Sequence, residues 1–286
     1  MAHDTLISVE QLQRLQAGAS PLVVLDCGFD LADPAAGRRG FEAGHIAGAR
    51  YADLEQHLSG AKTGRTGRHP LPDRATLARQ AGEWGIAPGV QVVTYDAHGL
   101  PYAARAWWLL RWLGHDAVAV LDGGAGAWRA ASGAWATDTT APAPQPPYPA
   151  TAEGAMPTID AEHLLAGLGT LRVLDARAAE RFRGDIEPLD PVAGHIPGAQ
   201  LRFFKNNLQA DGRFKRAAEL RSDFEGLISG VDPATGVVQQ CGSGVTACHN
   251  LLAMAHAGLG ISTLYPGSWS EWCSDPMRPV ARGDGG

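Results

Sequence analysis

Short β-branched runs alternate with longer amphipathic segments along this chain, and the alternation is clearest in its second half. The spacing of apolar positions predicts a helix over Ile159–Leu168, a strand over Arg172–Asp175 and a helix over Ala217–Ile228. A strand over Val237–Gln240 and a helix over Ala247–Ala257 follow, the latter with Leu251, Leu252, Met254 and Ala255 on its apolar side. Strands that alternate with helices imply a parallel sheet covered on both faces, hence an α/β fold. In such sheets, sites form at the carboxyl ends of the strands.

The pattern occurs twice. LVVLDCG at Leu22–Gly28 matches LRVLDAR at Leu171–Arg177, and GHIAGAR at Gly44–Arg50 matches GHIPGAQ at Gly194–Gln200. VVTYDAHG at Val92–Gly99 matches VVQQCGSG at Val237–Gly244, and DGGAGAW at Asp122–Trp128 matches PGSWSEW at Pro266–Trp272. The pairs Asp26/Asp175, His45/His195, Asp96/Cys241 and Trp128/Trp272 lie between 144 and 150 positions apart, in the same order. So long a period means a duplicated domain rather than a solenoid repeat. The stretch from Thr137 to Pro157 is rich in proline, alanine and threonine and is expected to run extended over the surface. Domains are therefore expected at 1–137 and 157–286, with a linker over 138–156.

Composition narrows the partners. The formal charge is −6 over 286 residues, without a long basic run, which argues against nucleic acid. No apolar run approaches the ~20 residues that span a bilayer, and the first residues lack the layout of a signal peptide. A soluble, cytoplasmic protein is expected. None of Cys27, Cys241, Cys248 and Cys273 belongs to a CxxC pair or to a zinc-type cluster, so free thiols and no metal are expected. Three of them read as small buried apolar residues.

Cys241 differs. It ends a strand, opens the loop Gly242-Ser243-Gly244-Val245-Thr246 and faces a helix start. Two glycines let several backbone N–H groups converge on one point, and the helix adds the positive end of its dipole. Thiols so placed ionise readily, with pKa values that can fall to roughly 3.5–7.5. The loop reads as a cradle for a sulfur anion.

With CGSGVTAC, the paired GHIxGA motifs, RFRG at Arg181–Gly184 and GSWSEW at Gly267–Trp272 in view, the chain resembles the two-domain rhodanese family of sulfurtransferases over both halves and the linker. The loop CGSGVT is similar to that of its 3-mercaptopyruvate-using members. The resemblance implies two tandem rhodanese-like domains, the second catalytic and the first, with Asp96 in place of the cysteine, inactive. It implies transfer of a sulfane sulfur from 3-mercaptopyruvate, through a Cys241 persulfide, to a small thiol, a thioredoxin-like protein or cyanide, with no cofactor. Thiosulfate is the alternative donor. The amides of Gly242, Ser243, Gly244, Val245 and Thr246 would stabilise thiolate and persulfide.

By the same resemblance Arg181 holds the donor's anionic group, with Arg183 a weaker candidate. A second arginine expected nearby is replaced by Asp190, which leaves the carboxylate clamp incomplete. Ser243 would work with His69 and an acid, Glu55 or the neighbouring Asp53, as a proton relay. His45 and His195 recur in both copies and read as structural. Arg105 and Trp269 are candidates to face the site, whereas Trp107, Trp108 and Trp112 have the spacing of core residues. Two rival readings remain. A cysteine phosphatase needs an arginine closing the loop, where this chain has Thr246 and Ala247. A non-catalytic sulfur-binding or regulatory module would not need the cysteine and both glycines.

Overall fold

The computed structural model describes residues 2–138, 143–151 and 154–284. The chain divides into two compact units. The first holds residues 1–60, 72–155 and 210–214, and the second holds 61–71, 156–209 and 215–286. The division is not one cut through the proline-rich stretch. Residues 61–71 group with the second unit, and Gln145 and Tyr148 of the expected linker bond through their amides to the Gly82 and Ala78 carbonyls of the first. Tyr148 is buried there, its hydroxyl near His115, so an aromatic anchors a segment whose composition alone suggests free extension.

In chain order the first unit comprises β1 (Leu6–Ile7), α1 (Val9–Ala17), β2 (Leu22–Asp26), α2 (Ala36–Ala43), β3 (His45–Ile46) and β4 (Arg50–Tyr51). It continues with α3 (Arg74–Glu83), β5 (Gln91–Tyr95), α4 (Pro101–Leu113), β6 (Val118–Leu121), α5 (Gly124–Ala130) and β7 (Trp135–Ala136). A parallel five-stranded sheet runs in the order β1-β6-β5-β2-β4, and β3 pairs antiparallel with β7. The second unit comprises α6 (Ala161–Ala166), β8 (Arg172–Asp175), α7 (Ala179–Arg183), β9 (Gln200–Leu201), α8 (Ala217–Ile228), α9 (Pro233–Gly236), β10 (Val237–Gln240), α10 (Thr246–His256), β11 (Thr263–Leu264) and α11 (Ser268–Trp272). Its parallel sheet runs β11-β10-β8-β9. Side-chain caps start several helices, as where Ser8 and Gln11 form a capping box on α1 and Asp73 accepts from the Thr76 amide on α3.

Both central strands are buried along their length, so neither alternates in burial, and each carries polar side chains inward: Gln91 and Thr94 in β5, Gln239 and Gln240 in β10. α10 is likewise buried almost all round: beyond Leu251, Leu252 and Met254 it buries His249 and Asn250, which bond to Asn207. In each unit a small apolar cluster centres on a tryptophan, Trp128 in the first and Trp272 with Trp269 in the second. The GHIxGA histidines are fully buried, their Nδ1 atoms 2.8 Å from the Phe41 and Phe182 carbonyls, and both stack on those phenylalanines at 3.9 Å. They hold the turn before the edge strand, a structural role in both copies. Among the described residues no helix is long and apolar enough to cross a membrane.

Candidate active site

In the second unit the β8–β10 register sets Asp175 beside Gln240, so Cys241 is the first residue beyond the carboxyl edge of the sheet. Its amide donates to Ser268 Oγ at 3.0 Å and its carbonyl accepts from the Trp269 amide at 2.9 Å. The loop then folds back, and the Gly244 N–H donates to Cys241 Sγ at 3.2 Å. Gly244 has φ +77°, and a side chain there would run into the Pro266 carbonyl, so the turn requires glycine. α10 begins at Thr246 without a side-chain cap, leaving its first N–H groups directed at the loop. Cys241 itself is 1% exposed. Cys27, Cys248 and Cys273 are buried free thiols, and burial raises the pKa of Cys27 and Cys273.

Ser243 Oγ lies 2.8 Å from His69 Nδ1, with both side chains buried. His69 is brought by the segment 61–71, which belongs to the second unit although it precedes the second domain by nearly a hundred residues. Glu55 belongs to the first unit and is exposed there, its amide donating to Asp53 Oδ1. Asp53 also accepts from the Gln56 amide and the Tyr51 hydroxyl, the work of a turn residue.

Arg181 stands on α7. Its Nε and Nη2 engage both oxygens of Glu187, and Nη2 reaches Asp190 at 3.1 Å. Its Nη1 is 3.2 Å from the position a Gly242 Cβ would take. Arg68, next to His69, lies on the same spot: its Nη2 is 3.0 Å from that position, while Nη1 pairs with Asp190. Two guanidinium groups therefore flank Gly242, and Asp190 bridges them. Asp190 does stand where a second arginine was expected, but a second guanidinium reaches the same spot from a distant segment, and Asp190 pairs with both. Burial raises the Asp190 carboxyl against the opposing pull of Arg68. Sequence reading overlooked Arg68 although it adjoins His69 in GRHPLP; only that adjacency could have signalled it.

Other candidates fall away. Arg183 is half-buried and pairs with Asp185 rather than turning to the loop at Gly242. Arg105 is fully buried on α4 in the first unit, with its guanidinium near the Leu58 carbonyl. Trp269 is core rather than pocket wall: its indole is fully buried, donates to the Val192 carbonyl and carries Arg177 over its face at 4.8 Å. Its backbone, not its ring, meets the cysteine loop.

The family model for the rhodanese-like domain matches residues 8–131 and again 160–275. The chain belongs to the rhodanese family. It is 49% identical over 288 residues to the probable 3-mercaptopyruvate sulfurtransferase of Pseudomonas aeruginosa, covering 99% of this chain and all of that one. It is 40% identical to the putative thiosulfate sulfurtransferase SseB of Mycobacterium tuberculosis, covering 97% of each. Human 3-mercaptopyruvate sulfurtransferase is 36% identical, with 92% of this chain and 88% of the human one covered. Among solved structures, 3-mercaptopyruvate sulfurtransferase from Leishmania major matches with a TM-score of 0.82 at 28% identity, over 94% of this chain and 74% of that one. The rhodanese fold is thus established for both units, each a parallel sheet with helices on its faces.

Proposed function

We propose that this rhodanese is a sulfurtransferase that takes the sulfur of 3-mercaptopyruvate onto Cys241 and passes it to a thiol or to cyanide. The observation that carries the reading is the convergence on one loop of a strand-end cysteine with its Gly244 amide, the Ser243–His69 pair, and the Arg68 and Arg181 guanidiniums. The named relatives support the same chemistry.

The donor carboxylate would lie across the two arginines, in contact with Arg181 Nη1 and Arg68 Nη2. The Cys241 thiolate attacks the donor sulfur; a new S–S bond forms, the S–C bond breaks, and its electron pair leaves on the enolate of pyruvate. That enolate needs a proton. With the His69 proton on Nδ1, the histidine donates to Ser243 Oγ and leaves the hydroxyl hydrogen available for the departing carbon. The Gly244 N–H then holds the persulfide, and an acceptor thiolate attacks the outer sulfur and restores Cys241. Glu55 as the third member of the relay rests on resemblance alone.

Asp190 favours mercaptopyruvate over thiosulfate. Its carboxylate, with that of Glu187, already offsets much of the arginine charge, which leaves a site suited to a monoanion better than to a dianion. A non-catalytic role is disfavoured by the retained thiol and loop. The physiological acceptor would be a small thiol or a thioredoxin-like protein, and four free cysteines suit the reducing cytoplasm. The test compares turnover with 3-mercaptopyruvate and with thiosulfate, reading pyruvate and thiocyanate, with mass spectrometry of the Cys241 peptide after each donor. Turnover with mercaptopyruvate and one added sulfur on that peptide is expected. An unmodified Cys241 in an active protein would sink the mechanism, and a preference for thiosulfate would reverse the donor.

A further inference from the structure

The duplication also marks a place where the two copies part. In the second unit Asp175 ends β8, and Arg177 folds back onto it. The Arg177 amide donates to Oδ1 at 2.9 Å, Nε to both oxygens at 3.1 Å and Nη2 to Oδ2 at 2.7 Å, while Nη2 also reaches the Gly194 carbonyl at 2.8 Å. Trp269 supplies the aromatic face beside that guanidinium. In the first unit Asp26 ends β2 in the same way, and the Gly28 amide donates to its Oδ1 at 2.8 Å. Gly28 stands for Arg177, Gly44 for Gly194 and Ala125 for Trp269. The backbone confirms the match: Ala125 N–H donates to the Asp96 carbonyl as Trp269 N–H does to that of Cys241, and Gly124 has φ +54° where Ser268 has +53°.

Replacing an arginine by glycine and a tryptophan by alanine opens a cavity of about 420 Å³, lined by Asp26, Gly28, Gly44, Ala125, Arg129 and Trp135 among others. Among the described residues, the partners of the Asp26 carboxylate are the Gly28 amide and the Tyr95 hydroxyl. The carboxylate that holds a guanidinium in one copy thus faces a cavity in the other. Trp135 supplies an aromatic wall, with Arg129 over its ring at 4.1 Å on the exposed side.

We propose that this cavity of the first unit binds a guanidinium-bearing small molecule, with Asp26 and the rim at Gly44 receiving the cation as Asp175 and Gly194 receive Arg177. A flat guanidinium matches the carboxylate edge in two-point geometry, which a compact ammonium does not. The volume admits an arginine-sized ligand, and Arg129 at the mouth favours one with a carboxylate at its other end. The proposal is independent of sulfur transfer.

Calorimetric titration of the full chain with methylguanidine, agmatine, L-arginine and a blocked arginine tripeptide tests it, with methylammonium as control. Saturable binding of methylguanidine is expected, with affinity lowered roughly tenfold or more in Asp26→Asn. Gly28→Arg should abolish binding and raise the melting temperature by supplying the guanidinium internally. A Cβ at Gly28 meets only an Asp26 oxygen, at 3.0 Å, so this variant is built without backbone conflict. Tighter binding of L-arginine than of agmatine, lost in Arg129→Ala, would support a free zwitterion as the ligand; tighter binding of the tripeptide than of L-arginine would overturn the small-molecule assignment. No saturable methylguanidine binding, equal binding of methylammonium, or unchanged affinity in Gly28→Arg would overturn the proposal.

Discussion

Set side by side, the Asp96 loop and the Cys241 loop show one cradle put to two uses. Each residue directly follows a central strand, each loop carries a left-handed glycine three residues on (Gly99 at φ +88°, Gly244 at +77°), and each helix starts five residues on, at Pro101 and Thr246. In the first unit a carboxylate fills the cradle. Asp96 Oδ1 accepts from the His98 and Leu100 amides at 2.8 and 2.9 Å, and Oδ2 from those of Tyr102 and Ala103 at 3.0 Å each. Leu100 is held at φ +73°, strain of roughly 1–2 kcal/mol that the closed loop sustains. In the second unit Val245 at that position has φ −92°, and Sγ takes the Gly244 N–H. The Asp96 oxygens stand as many bonds from Cβ as the outer sulfur of a persulfide would. The first loop therefore displays how this turn can surround an anion at that reach.

The comparison breaks most sharply at the nucleophile. Cys241→Ser should reduce sulfur transfer to background with either donor, and adding Asp96→Cys to that variant should restore none, because His98 stands in that loop where Ser243 stands in the catalytic one. Recovered activity in the double variant would show that the cradle alone suffices. Next comes the proton. Ser243→Ala and His69→Ala should each cut mercaptopyruvate turnover by about 100-fold or more, with a much smaller loss for thiosulfate and less than additive loss when combined. Equal losses for both donors would reduce Ser243 to a shaper of the loop.

The arginine pair follows. Arg68→Ala should raise KM for mercaptopyruvate about tenfold or more with kcat less affected, comparable with Arg181→Ala. An unchanged KM would remove Arg68 from the clamp.

The smallest effect concerns stability. Burial holds the Asp96 carboxyl above the ordinary range despite its four amide donors, with His98 first among those opposing the shift. An acid whose folded pKa lies above its unfolded one contributes stability that is present at low pH and lost as pH rises through the folded value. Asp96→Asn should therefore flatten the fall in unfolding free energy as pH rises above the usual aspartate range, read by denaturant titration across a pH series. A slope identical to wild type would mean that the fold does not feel this carboxylate.

Local patterning made much of this molecule legible. The strands at 172–175 and 237–240 and the helix at 217–228 lie where their apolar spacing puts them, and α10 begins one residue before its expected start. The repeat was readable because each copy must rebuild the same sheet edge and the same buried histidine turn. The domain border was harder. Tyr148 and the backbone of Gln145 tie the proline-rich stretch to the first unit, contacts that composition does not encode.

By itself the sequence determined the duplicated α/β framework, the position of Cys241 at a strand end and the glycine that turns the loop after it. These follow from periodicity and backbone sterics, which act over a few residues. Tertiary structure alone decided that Arg68 rather than a residue near 190 stands with Arg181 at Gly242 and that Trp269 lies in the core, and it alone makes the His69–Ser243 contact that the family resemblance implied. It also decided that Asp26 faces a cavity where Asp175 holds an arginine. Charged and polar groups find partners across a hundred residues or more because desolvation penalises every unpaired one. That pairing is a property of the packed chain, with no trace in local spacing.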